Sequence, residues 1–196
     1  MEQKRDSGPF SSWWPAADAL RAVVLAPPTQ AQQALADQLE VKLPAVSPAA
    51  VATAVLDDYL EPILGRSPPM PPTEPQVAFL RSLAQEAAIE LSTDLLTRRT
   101  TSAWIDVLLG RRTLGALEKL RPSRGDVVDH SGRSAAPGPR LVRRFRISSV
   151  AASGLLYFRG GNGQCGWPTN VELVARVGDA EAESTLSEGH ARVAYD

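Results

Sequence analysis

Leu141-Val142-Arg143-Arg144-Phe145-Arg146-Ile147, followed by Leu155-Leu156-Tyr157-Phe158-Arg159 and Gly160-Gly161-Asn162-Gly163, is the stretch on which the fold class turns. Leu141, Arg143, Phe145 and Ile147 fall on one parity, and Val142, Arg144 and Arg146 on the other. A period of two is that of a strand, and the glycine run is a hairpin signal. Ser153-Gly154 marks a further turn, and residues 164–167 and 171–175 read as additional short strands. Alternation puts Tyr157 and Phe158 on opposite faces, so at most one of them is expected to be exposed.

Upstream the period changes. Residues 29–43 read as a helix capped by Thr29, with Leu35, Leu39 and Leu43 on one face. Ser47-Pro48 starts a second, with Ser47 as cap and Pro48 at its first position. Val51, Val55, Leu56 and Leu60 form its apolar side. Residues 76–98 show the strongest helical spacing, through Val77, Leu80, Ala84, Leu91 and Leu95. Thr100-Thr101-Ser102 reads as the cap of a short helix ended by Gly110, and residues 111–121 as a third, stopped by Pro122.

The fold class expected is therefore α+β: an N-terminal helical region followed by a small C-terminal antiparallel β-domain. An SH3-like barrel is preferred for the β-domain, because four or more short strands exceed what a wing needs. A winged helix is the alternative, with 101–110 and 111–120 as its helix-turn-helix. The expected organisation is 1–64 Pro-interrupted helices, 65–75 linker, 76–121 three-helix unit, 122–177 β-domain and 178–196 an acidic mobile tail. Twelve of the 16 prolines lie in residues 1–75. Five of them fall in 65–75, which reads as a semi-rigid polyproline spacer, with a ligand for an SH3- or WW-type partner as the lesser alternative.

Composition allows a core, at 43% hydrophobic residues, and no apolar run approaches a membrane span. The charged start of the chain and the single cysteine, Cys165, point to a cytoplasmic protein without a secretory signal or disulfides. Net charge is −1 but segregated. Residues 1–97 carry 6 basic and 12 acidic groups, 98–146 carry 12 and 4, and 147–196 carry 3 and 6. A basic block of this kind is a footprint of polyanion binding.

The function expected is a non-catalytic nucleic-acid-binding accessory or adaptor protein. Its DNA or RNA contacts are assigned to Arg98, Arg99, Arg111, Arg112, Lys119, Arg124, Arg143, Arg144, Arg146 and Arg159, with Tyr157 and Trp167 as stacking groups. The alternative is a protein–protein adaptor or scaffold subunit of a larger complex, docking through Trp13 and Trp14. In that case the basic block pairs with an acidic partner or with the chain's own acidic segments. A third reading is a nuclease. Arg124 and His130 have a spacing similar to the Arg/His pair of helical HEPN-type ribonucleases, although Gly125, Val127 and Val128 argue against a helix there. Asp126, Asp129 and His130 are a weak metal-ligand set without diagnostic spacing. No P-loop or nucleophile elbow is present, and no cofactor is expected.

Overall fold

The structure, a computed structural model, describes residues 12–44, 47–91, 96–131, 140–160, 163–178 and 192–194. The charged N-terminus, residues 132–139 and most of the acidic tail thus lie outside the described residues. The chain is mixed helix and antiparallel sheet, as expected. It divides into two compact units, Met1–Leu20 with Thr113–Asp196, and Arg21–Arg112.

The second unit is helical. It holds α2 (Gln30–Gln38), α3 (Ala49–Ile63), α4 (Glu74–Glu86) and the N-terminal part of α5 (Arg98–Leu120). Thr29 and Thr73 close capping boxes with Gln32 and Gln76. Val51, Leu80, Leu83, Ala84, Trp104, Val107 and Leu108 form its core. Four boundaries differ from the sequence reading. α2 ends at Gln38, with Leu39 as its C-cap, rather than at Leu43. Pro48, not Ser47, is the cap of α3, and the buried Ser47 hydroxyl has no hydrogen-bond partner among the described residues. α4 ends at Glu86 rather than near Arg98. There Ala88 adopts φ 51°, and the N–H groups of Ala88 and Ile89 close on the carbonyls of Gln85 and Ala84. That double closure is a Schellman motif, here without its usual glycine. Finally, α5 is one helix. Its cap is Thr97: the Thr97 N–H donates to Thr100 Oγ1 at 2.8 Å and the Thr100 N–H to Thr97 Oγ1 at 3.0 Å. Gly110 costs such a helix only about 1 kcal/mol relative to alanine, less than its flanking leucines recover by burial.

The first unit carries the sheet. Its strands are β1 (Val127–Ser131), β2 (Arg140–Val150), β3 (Leu156–Phe158), β4 (Cys165–Gly166) and β5 (Val171–Ala175). A 3-10 turn, Pro168–Asn170, precedes β5. The order is β4-β3-β2-β1-β5, all antiparallel and open, and β6 (Arg192–Ala194) pairs with the start of β2. Part of the expected tail is thus a strand. The inner face packs on Ala16 of helix α1 (Trp13–Val24) and Leu117 of α5, burying Val128, Ile147, Val150, Leu156 and Phe158. Ile147 and Val150 are three apart, yet both point inward. The register against β3 slips between Ile147 and Ser149, so one extra residue resets the parity. Gly154 (φ +86°) turns the chain into β3 where a Cβ would lie 2.7 Å from Thr113 Cγ2.

Candidate nucleic-acid interface

The register fixes what shares the outer face of the sheet. Asp129 stands directly opposite Arg144, and Val127 opposite Arg146. On the other side of β2, the Arg159 N–H donates to the Arg146 carbonyl at 2.8 Å, which makes those two arginines cross-strand neighbours. Tyr157 follows Arg159 at strand spacing and pairs with Cys165. Trp167 lies two residues beyond Cys165 in extended backbone. In β3 burial follows this pleat: Tyr157 is 37% exposed and Phe158 6%, and Trp167 beyond β4 is 44% exposed, whereas Val127, on the face of Arg146, is fully buried with Ala175. Of the Tyr157/Phe158 pair, tyrosine is the outward one. Glu172 stands opposite Asp129 on β5. The outer face therefore grades from acidic at β5, through arginine on β2, to aromatic at β3 and β4.

The basic residues do not form one uninterrupted array. Arg144 grips Asp129 with both ends of its guanidinium, Nε to Oδ1 at 2.8 Å and Nη2 to Oδ2 at 3.0 Å, and that bond raises its pKa. Arg99 is similarly engaged. Its Nη2 lies 2.6 Å from Glu61 Oε1, and Asp57 and Asp58 lie 3.7 Å away. The Glu61 hydrogen bond is the main cause of its raised pKa. Thr97 also donates its hydroxyl to Asp58. The acidic cluster Asp57-Asp58-Glu61 is thus a counter-charge to Arg99. Arg112 pairs with Glu86 at 3.2 Å, and Arg111 Nε donates to the Val24 carbonyl. Arg98 is exposed at the start of α5, as is Lys119 near its end. Arg124 is exposed in the turn before β1. Arg143 is also exposed, but it stands opposite His130 and so belongs to the other face from Arg144 and Arg146.

His130 is built into the inner face. Its ring meets Phe158 at 5.6 Å and Phe145 at 6.2 Å, and those phenylalanines stack on each other at 4.7 Å. Burial pushes its pKa below the usual imidazole range. Residues 127–131 are a strand, not the helix a HEPN-type pair requires, and among the described residues no hydrogen bond or ion pair joins His130 to Arg124. Asp126 is 1% exposed and accepts from Ser123 N–H, Val177 N–H and Arg176. Asp129 and His130 point to opposite faces, so the three do not converge, and no metal-binding cluster occurs among the described residues.

Trp13 packs partly into the inner-face core and carries Arg121 6.0 Å from its ring centroid, while Trp14 is exposed. No family model, curated protein or solved structure matches the chain. Among the described residues no helix is long and apolar enough to cross a membrane. No local pattern announces Arg176. It donates to the carbonyls of Leu120 and Arg121 while holding buried Asp126, and so ties the end of α5 to the start of β1.

Proposed function

We propose that this chain is a non-catalytic nucleic-acid-binding accessory protein, and that the outer face of β2, β3 and β4 receives the strand. One observation carries this: Tyr157 and Trp167 are exposed on the same face as Arg146 and Arg159. Stacking a base on an exposed aromatic ring contributes about 1–3 kcal/mol and tolerates any sequence. A guanidinium one strand away forks onto the phosphate that follows. Arg124, Arg143 and Lys119 supply further positive charge in the same unit. DNA and RNA both meet these requirements.

For the β-module we infer an SH3-like, partly open barrel. The order β4-β3-β2-β1-β5, the long bulged β2 shared between two halves of the sheet, and the 3-10 turn before β5 support it. The winged-helix alternative loses support because α5 runs unbroken through residues 109–112.

The test is fluorescence anisotropy with labelled single-stranded DNA, single-stranded RNA and duplex, at low and high salt. Binding that weakens with salt, quenches tryptophan emission and is lost in Arg159→Ala/Trp167→Ala is the expected result. Equal affinity of the double variant for every probe sinks the reading. A second reading, a protein adaptor without nucleic-acid contact, is favoured by the exposed Trp14 beside core-packed Trp13. It predicts that no probe binds.

A further inference from the structure

We infer that Arg66-Ser67-Pro68-Pro69-Met70-Pro71-Pro72 is a docking ligand for a partner domain whose groove is lined by aromatic rings and edged by carboxylates. The inference is independent of the nucleic-acid reading and concerns the helical unit.

The conformation of this segment is dictated residue by residue. Each of residues 67–72 either is a proline or precedes one. Proline fixes φ near −65°, and a following proline excludes the helical region. What remains is polyproline II, and residues 66–72 carry no helix, strand or turn. The segment is also held at its ends. The Arg66 N–H donates to the Glu61 carbonyl at 2.8 Å, and the Met70 carbonyl accepts from the Arg98 N–H at 2.7 Å. Thr73 then caps α4. The first of these is the helix-end closure of α3 at Gly65 and the last is the cap of α4, so both ends of the rod are fixed to helices, and the Met70–Arg98 bond holds the segment between them.

Polyproline II has three residues per turn. Pro68-Pro69 and Pro71-Pro72 therefore offer the same two ridges, one turn apart, and Arg66 continues the ridge of Pro69 and Pro72. Residues 65–71 are exposed, and Pro72 is half-buried where the rod joins α4. Aromatic-lined grooves read this pattern, because a rod already extended loses little conformational entropy on docking. Arg66 makes no ion pair among the described residues, so its charge is available to a carboxylate at the groove's end and fixes the direction of docking. Ile63 and Leu64, which lead into the rod, are 64% and 63% exposed, and Met70 is 56% exposed. A second copy is the poorer occupant, because the chain's own aromatic face, Tyr157 and Trp167, is edged by Arg146 and Arg159 and repels Arg66.

The test is isothermal titration of the full chain with a purified SH3 domain selective for Arg-x-x-Pro-x-x-Pro peptides, beside a synthetic peptide of residues 64–74. The full chain should bind at least as tightly as the peptide. Pro68→Ala/Pro69→Ala and Arg66→Glu should each weaken it by about ten-fold or more. Circular dichroism of both variants checks that the helices persist; Arg66→Glu alters only a solvent-facing side chain. A peptide that binds while the full chain does not overturns the inference, as does unchanged affinity in the variants. A dimer that depends on Pro68 and Pro69, seen by sedimentation, also overturns it by making a second copy the occupant.

Discussion

A methyl group at Gly166 would lie 2.7 Å from His130 Cδ2 and 2.8 Å from its Nε2, with Phe158 Cζ at 3.2 Å. The imidazole cannot retreat, since Phe145 and Phe158 hold its other side. Gly166→Ala is expected to destabilise the β-module by about 1–3 kcal/mol, the usual cost of overpacking, as read from urea denaturation. The same enclosure makes His130 sensitive to acid. Its folded pKa is lowered by burial, so the unfolded chain takes up a proton first as pH falls. The contribution of neutral His130 is complete above the ordinary imidazole value of about 6.5 and is lost as pH drops through it towards the lower folded value. The melting temperature should therefore fall between about pH 7 and pH 5. In His130→Gln, which cannot titrate, that slope should shrink; an unchanged slope would assign the acid response to other groups.

Helix α5 shows where sequence patterning succeeds and where it does not. Thr97→Ala removes the cap that exchanges hydrogen bonds with Thr100 and the hydroxyl that donates to Asp58. A loss of about 1 kcal/mol is expected from the cap alone, measured by thermal unfolding. Gly115 offers the opposite case. It is exposed in the helix with open space where a Cβ would stand, so Gly115→Ala should stabilise by up to about 1 kcal/mol. Strands β1 to β5 were legible in the sequence from the alternation of β2 and from the glycines and prolines that separate the short strands, whereas β6 lies in the stretch that reads as an acidic tail. That Tyr157 and Phe158 of β3 face opposite ways followed from the same alternation, but which of them faces outward did not. Helix ends were less legible. Gly110 reads as a stop, and Ala88, which is the real stop of α4, carries no signal because alanine seldom adopts positive φ. The slip at Ser149 was also invisible, since a bulge is decided by what the neighbouring strand and core demand. The ion pairs that occupy Arg99, Arg112 and Arg144 depend on partners 38, 26 and 15 residues away, and no local pattern announces them.

Over the whole molecule, those ion pairs change what the basic block can do. Residues 98–146 carry 12 basic and 4 acidic groups, and a tally of charge alone implies that many phosphates are neutralised. Yet Arg99 is spent on Asp57, Asp58 and Glu61, Arg112 on Glu86 and Arg144 on Asp129. Releasing Arg99 to a phosphate would strand the nearly buried Asp58 and releasing Arg144 the half-buried Asp129, whereas the exposed Arg112–Glu86 pair is parted at little cost. Counterion release makes this measurable, because for a single strand the slope of log K against log salt is about −0.7 per phosphate contacted. If two to four arginines of the β-module engage the strand, the slope should be about −1.4 to −2.8. A block of eight acting freely would give about −5.6 instead. Arg159→Ala should reduce the magnitude by about 0.7, whereas Arg99→Ala should leave the slope unaltered and lower the melting temperature. A steep slope that Arg99→Ala flattens would mean that the acidic cluster on α3 yields its arginine to nucleic acid, and that the helical unit, not the aromatic face of the sheet, is the principal binding surface.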